Sequence, residues 1–365
     1  MKVPYIDLPS QFKDTKLHQD ILDVFKKCQF IMGKAVDRFE KNFAELCGTR
    51  YALGLNSGTD ALFLVFKALG IGQGDEVITV PNSFVATAGA IVAAGAKPVF
   101  VDVSPDYNMN PELIETEITA RTKAIVPVHL TGNPADMRQI CNIAKRNGLP
   151  VIEDAAQAVS ASIGKKAVGS FGKAGCFSLH PLKNMNVAGD GGIITTDSYE
   201  LYLKLKKLRN HGLKNRDEID FFGYNSRLDT LQATIANHVL NTLESVIVKR
   251  KKNAAFYDEE LSQLNNDVIL PPKRDNTKQV FHTYVIQVKK RTKLINFLKT
   301  YGVETKIHYP IPIHLQKPCK ELGYKKGDFP VCEKQAASIL SLPVHQYLSD
   351  EQIRHVAKLI KKFYK

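Results

Sequence analysis

Lys183 stands in the run GCFSLHPLKNMNVAGDGGIITT, between a strand-like segment (Gly175 to Leu179) and a bend rich in glycine (Gly189, Gly191, Gly192). That setting places the amine on a loop, not on a long amphipathic helix or a charged face. Upstream, the apolar run Leu149-Pro150-Val151-Ile152 ends in Glu153-Asp154-Ala155-Ala156-Gln157, which puts a carboxylate just past a buried strand. A loop lysine and such a carboxylate are the two groups that pyridoxal phosphate chemistry requires. The lysine forms a Schiff base with the aldehyde, and the aspartate keeps the pyridine nitrogen protonated so that the ring takes up electrons.

Four further segments carry polar groups suited to a ligand. In Asn56-Ser57-Gly58-Thr59-Asp60, the S-x-x-D spacing predicts a capped helix start, and Gly58 lets an anion approach its free N–H groups. Phe84, in Pro81-Asn82-Ser83-Phe84-Val85-Ala86-Thr87, follows a strand and either stacks on a flat ring or belongs to the core. Ser178 precedes Lys183 and can donate to a phosphate, while Asp154 and Gln157 are spaced to face one ligand. Gly223-Tyr224-Asn225-Ser226-Arg227-Leu228-Asp229 is a polar turn into a long helix. In Ile307-His308-Tyr309-Pro310-Ile311-Pro312-Ile313-His314, prolines stiffen a loop whose His308, Tyr309 and His314 suit sugar recognition or a structural role. No acidic or thiol partner stands nearby in sequence, so no metal site is expected.

Positioning these groups requires a scaffold. β-Branched runs at Val77–Val80, Pro98–Val103, Ala124–His129, Val151–Glu153, Cys176–Leu179 and Ile193–Thr195 alternate with helical stretches at Asp60–Leu69, Ala86–Ala93 and Met137–Asn147. This rhythm predicts an α/β fold with a mostly parallel sheet covered by helices, with ligands beyond the carboxyl ends of the strands. A long helix over Thr230–Phe256 leads to a strand at His282–Val288, a helix at Thr292–Tyr301 and a closing helix from Asp350. The expected division is a large domain over 1–235 and a smaller α+β domain over 236–365.

Composition narrows the class. The 365 residues suffice for a large core, and no apolar stretch is long enough to span a bilayer. The first thirteen residues do not read as a secretory signal, and the six scattered cysteines lack a C-x-x-C pair, so a reduced cytoplasmic protein is expected. The net charge of +13 sits largely in Lys204–Lys214, Lys249–Lys252 and Lys358–Lys365. Such runs are solvated helix faces or a field that attracts a polyanion; charge alone does not choose.

Taken together, N-S-G-T-D-A-L, E-D-A-A-Q-A, H-P-L-K-N, G-D-G-G and N-S-R-L-D resemble the DegT/StrS sugar aminotransferases of the aspartate aminotransferase superfamily (fold type I). Ile31-Met32-Gly33, Val36 and Phe39-Glu40 extend the resemblance toward the N-terminus, so that it runs from about residue 5 to the end. It implies pyridoxal 5'-phosphate as cofactor, with Lys183 as Schiff-base lysine and proton shuttle and Asp154 on the pyridinium nitrogen. Gly58, Thr59 and Ser178 would hold the phosphate, Phe84 would stack on the ring, and Gln157 would meet the phenolic oxygen. Asn225 would reach the phosphate of a neighbouring subunit's cofactor, implying a homodimer with shared sites. The implied partners are L-glutamate and a nucleoside-diphosphate ketosugar, and the loop His308–Leu315 points to amination at sugar carbon 3 rather than carbon 4.

Two other readings are set against this. A sugar dehydratase of the same family carries histidine at the Schiff-base position, whereas Lys183 is present here. A non-catalytic regulator or nucleic-acid binder on the same fold would suit the basic charge, yet no helix-turn-helix segment precedes the recognised pattern. Neither nucleic acid nor membrane is expected as a partner.

Overall fold

The computed structural model describes residues 1–365. The main sheet is built from β1 (Tyr51–Leu55), β2 (Glu76–Thr79), β3 (Lys97–Phe100), β4 (Thr122–Ile125), β5 (Ile152–Asp154), β6 (Ala174–Ser178) and β7 (Gly192–Thr196). β3, β2 and β4 pair in parallel; parallel bridges Ile125–Val151 and Val128–Asp154 join β5, and β6 runs parallel to β5. β7 alone is reversed, lying antiparallel between β6 and β1. The sheet is therefore mostly parallel, as its alternation with helices predicts. Two strands end sooner than the apolar runs suggest, at Phe100 and Ile125. Just beyond the latter, Pro127 has no N–H to extend the ladder.

Both faces are covered because side chains alternate along each strand. Ala52, Phe177 and Ile193 pack toward a layer containing Phe39, Phe43 and Ala236. Leu53, Cys176 and Ile194 point the other way, toward Leu62, Val65, Ile91 and Leu205. The helix Thr230–Leu261 starts in the first layer and ends in a second core, where Ala254, Tyr257 and Leu261 meet β8 (Val268–Ile269), β9 (Tyr284–Val288) and β10 (Ile339–Leu342). These three strands form an antiparallel sheet in the order β8-β9-β10. The expected boundary at 235/236 falls inside that helix, whose packing changes core only between Ile247 and Ala254. Val3 belongs to this second core and bridges to Val303, so the N-terminal segment is tied to the C-terminal unit.

The basic run around the helix Tyr199–Leu208 divides by burial. Lys204 and Lys206 are exposed, as a solvated face requires, but Arg209 is buried and paired with Glu40, which also accepts from Gly54 N at 2.8 Å. No helix is long and apolar enough to cross a membrane.

Candidate active site

The cleft lies where the carboxyl ends of the parallel strands meet the crossing from the second core. β5 ends at Asp154, which is only 5% exposed. One carboxylate oxygen accepts from Thr87 Oγ1 at 2.7 Å, and Thr87 is in turn bonded to Ser83 at 2.6 Å. Ser83 and Thr87 stand four residues apart, bracketing the start of the helix Val85–Ala93, so one helix turn brings both hydroxyls to the strand end. A hydrogen bond to a charged group contributes about 1.5–3 kcal/mol, enough to fix the orientation of the carboxylate.

Glu153 has a different job. It is fully buried and accepts from Gly169 N, Phe171 N and Gly172 N, each within 2.8 Å, and meets His129 Nε2 at 3.1 Å. Ala135 N donates to His129 Nδ1, so Nε2 carries the proton and donates to Glu153. The adjacent acids thus serve opposite faces: Glu153 ties down the 169–172 turn and Asp154 is left for the cleft.

Lys183 is half-buried, with its N–H bonded to the His180 carbonyl at 2.8 Å. Part of the side chain remains accessible, but the ammonium itself is crowded by protein. That burial pulls its pKa down to about 8, against the opposing pull of the Asp154 charge. Tyr309 faces the same charge and lies against Gln157, and burial pushes its phenol up. Gln157 Oε1 accepts from Thr131 N at 2.8 Å. Phe84, 53% exposed, presents its ring at 5.7 Å from that of Tyr309. His308 lies beside Lys183 and bonds Ser341 at 2.9 Å; burial first, and then the Lys183 and Lys306 charges, push it down to about 4.

The Asn56–Asp60 motif opens the helix Gly58–Ala68, with Ser57 Oγ accepting from Asp60 N at 3.0 Å. At Gly58 a Cβ would sit 2.8 Å from Ser178 Cβ, so glycine is what allows the helix start and the end of β6 to touch. Free N–H groups and a serine hydroxyl converge there, which suits a phosphate. Thr59 is exposed in the first turn.

The structure therefore brings together Asp154, Gln157, Lys183, Phe84, His308 and Tyr309, with Gly58 and Ser178 at the adjoining strand ends. Asn225 is exposed, bridged to Asn210, while its neighbour Ser226 donates to Asn56 Oδ1 at 3.1 Å. His314 does not reach the cleft. It is fully buried, bonded to Glu333 at 3.1 Å and packed edge-on to Phe329, so the acidic partner missing from its sequence neighbourhood comes from a later helix. Sequence reasoning gave no role to Thr87, Thr131, Arg250 or His282. The four-residue spacing of Ser83 and Thr87 held a signal, whereas the others come from distant segments and held none.

Residues 12–361 match the model of the DegT/DnrJ/EryC1/StrS aminotransferase family. The chain belongs to that family. A pleiotropic regulatory protein of Geobacillus stearothermophilus is 42% identical over 369 residues, covering 100% of this chain and 99% of that protein. The UDP-N-acetyl-3-dehydro-alpha-D-glucosamine 3-aminotransferase of Acidithiobacillus ferrooxidans is also 42% identical, over 99% of this chain and 97% of its own. Among solved structures, S. venezuelae DesV in complex with a ketimine intermediate superimposes with a TM-score of 0.97 at 36% identity, covering 100% of this chain and 99% of that one. The fold is that of fold type I aminotransferases.

Proposed function

We propose that the chain transfers an amino group from L-glutamate to carbon 3 of a ketosugar carried by a nucleoside diphosphate, with pyridoxal phosphate held at Lys183. The observation that carries this reading is a lysine with a depressed pKa facing a buried, hydrogen-bonded carboxylate at the strand ends, in a chain of an aminotransferase family. Amination at carbon 3 is supported by the stated activity of the Acidithiobacillus relative.

The residues fit the cofactor. Gly58 lets the helix start approach Ser178 at the end of β6, and Gly58, Thr59 and Ser178 would take the phosphate there. Phe84 offers an exposed ring that would stack on the cofactor ring, Asp154 would pair with the ring nitrogen, and Gln157 would meet the phenolic oxygen. Asn225, exposed on this protomer, would reach the phosphate of a second copy's cofactor, so that the sites would be shared in a homodimer. When bound, the cofactor supplies an aldehyde that condenses with amines and a protonated ring that accepts an electron pair.

The side chains do the rest. Thr87 holds the Asp154 carboxylate in place, so that its charge remains available at the ring nitrogen. Lys183 Nζ takes the proton from the α-carbon of glutamate, and in the second half-reaction delivers one to carbon 3 of the sugar. With a pKa of about 8 it can serve in both directions near neutral pH. His308 and Tyr309 line the sugar side and, with Phe84, exclude water; His314 supports their loop from the core. The basic surface favours a diphosphate-bearing substrate. Six unpaired cysteines fit a reducing compartment, and we place the protein in the cytoplasm.

The regulatory description of the Geobacillus relative suggests another role, but Lys183 and its pocket favour catalysis here. The test is an absorbance spectrum of the protein with pyridoxal phosphate, before and after L-glutamate. The expected result is a visible band that moves to shorter wavelength as 2-oxoglutarate is released. A band unmoved by glutamate overturns the donor, and no band at all overturns the cofactor reading.

A further inference from the structure

The segment Val280–Thr283 crosses from the second core onto the cleft and is held on both sides. Val280 N donates to the Gly132 carbonyl at 3.0 Å, and Asn184, beside Lys183, donates to the Val280 carbonyl at 2.9 Å. From the other side, Arg250 Nη1 donates to the carbonyls of Phe281 and His282 at 3.1 and 3.2 Å. His282 is thereby fixed beside Lys183, within reach of its charge and of Arg250, His308 and His180. Its Nδ1 is buried with no partner. An unpaired lone pair there is cheaper than an unpaired N–H, so the proton belongs on Nε2, which also makes no bond within the protein. Crowding first, and then the Lys183 and Arg250 charges, hold the ring uncharged, well below its ordinary pKa.

Arg250 adds a second anomaly. It is 4% exposed, yet its bonds go to Gln346 and two backbone carbonyls, and no carboxylate pairs with it. Buried charges are ordinarily paired. The cleft corner that holds Lys183, Arg250 and His282 contains one acid, Asp154, which is held by Thr87 and assigned to the cofactor ring nitrogen. An anion is what this corner lacks.

The two substrates make different demands on that corner. An amino-acid donor places a carboxylate next to the reacting amine, whereas a ketosugar places hydroxyls next to its carbonyl. An exposed arginine would pair with the first and be left unpaired by the second. An uncharged imidazole N–H donates to either, while a guanidinium one layer behind supplies the positive field.

Resting on the aminotransferase reading above, we propose that His282 receives the α-carboxylate of the amino-acid donor and that Arg250, behind it, holds the ring in place and balances the charge. His282 then meets the same hydroxyl-rich side of the sugar in the second half-reaction. Arg250 is a positioning residue, acting through the 281–282 carbonyls.

The test compares L-glutamate with its α-amide, isoglutamine, as donors to the holoenzyme of the wild type, His282→Phe and His282→Gln. Phenylalanine keeps the bulk of the ring and removes the N–H; glutamine restores a donor. The expected result for His282→Phe is a KM for L-glutamate raised about 10- to 100-fold, with isoglutamine changed less than about 3-fold. The dissociation constant of maleate, an unreactive dicarboxylate read by its effect on the visible band, should rise in parallel, and His282→Gln should recover most of both losses. Equal losses for the two donors, or an unchanged maleate affinity, overturns the proposal while leaving the cofactor site intact. A wild type that shows no visible band with pyridoxal phosphate sinks the underlying reading instead.

Discussion

Asn184 Nδ2 donates to the Val280 carbonyl at 2.9 Å, joining the lysine loop to a segment ninety-six residues away. Asn184 is 4% exposed, so the bond is shielded from water and fixes the distance between Lys183 and the opposite wall of the cleft. Replacing Asn184 with Ala leaves that carbonyl unpaired. The expected cost is about 1–3 kcal/mol of stability, with kcat for transamination reduced about 10-fold; urea denaturation and single-turnover kinetics check the two effects separately.

Lys183→Ala removes the amine while leaving the buried framework intact. Transamination should fall at least about 1,000-fold, with an unchanged far-ultraviolet circular dichroism spectrum. An alanine variant with full turnover would refute the assignment of this residue.

Thr87→Val removes the hydroxyl that donates to Asp154 at 2.7 Å. The carboxylate then keeps its charge but loses its fixed direction, and burial makes the loss costly. Activity is expected to drop about 10- to 100-fold, in line with about 1.5–3 kcal/mol for such a bond. Asp154→Asn, which removes the charge itself, should be worse; if Thr87→Val equals or exceeds it, orientation rather than charge governs the site.

In the cofactor-free protein, Lys183 has its pKa pulled down to about 8 by burial, from 10.5. The free amine is the nucleophile, so capture of pyridoxal phosphate should accelerate as pH rises toward 8 and level off above it. Stopped-flow absorbance over pH 6–10 reads this directly. A plateau only above pH 10 would mean that the ammonium is as solvated as a surface lysine.

His345 is 3% exposed, bonds the Pro4 carbonyl and is pushed down to about 4 by burial and Arg250. Its folded-state pKa lies below the ordinary value of 6.5, so between 6.5 and 4 the unfolded chain binds the extra proton. Stability is therefore present above pH 6.5 and lost as pH falls toward 4, by up to about 3 kcal/mol at 1.36 kcal/mol per pKa unit. The related shift at His308 adds to this trend. Denaturation midpoints measured at pH 7 and pH 4.5 should differ less in His345→Asn than in the wild type.

Local chemistry made much of this protein legible in its sequence. β-Branched runs interrupted by helical periodicity marked six strands of the main sheet and its mostly parallel sense, though not the reversal of β7, and S-x-x-D marked the start of the helix at Gly58. Lys183 and Asp154 stood out in the sequence as a loop amine and a strand-end acid, and the structure brings them to one cleft. Tyr51–Leu55 escaped notice: its alanine and glycine give little strand signal, and its place depends on the reversed neighbour β7. Tertiary structure alone separated Glu153 from Asp154, because adjacent strand residues point to opposite faces and only the partners of each face decide its role. It likewise sent His314 into the core and brought His282 and Arg250 to the lysine. Those placements rest on contacts between segments far apart in the chain, which no spacing within a single segment encodes.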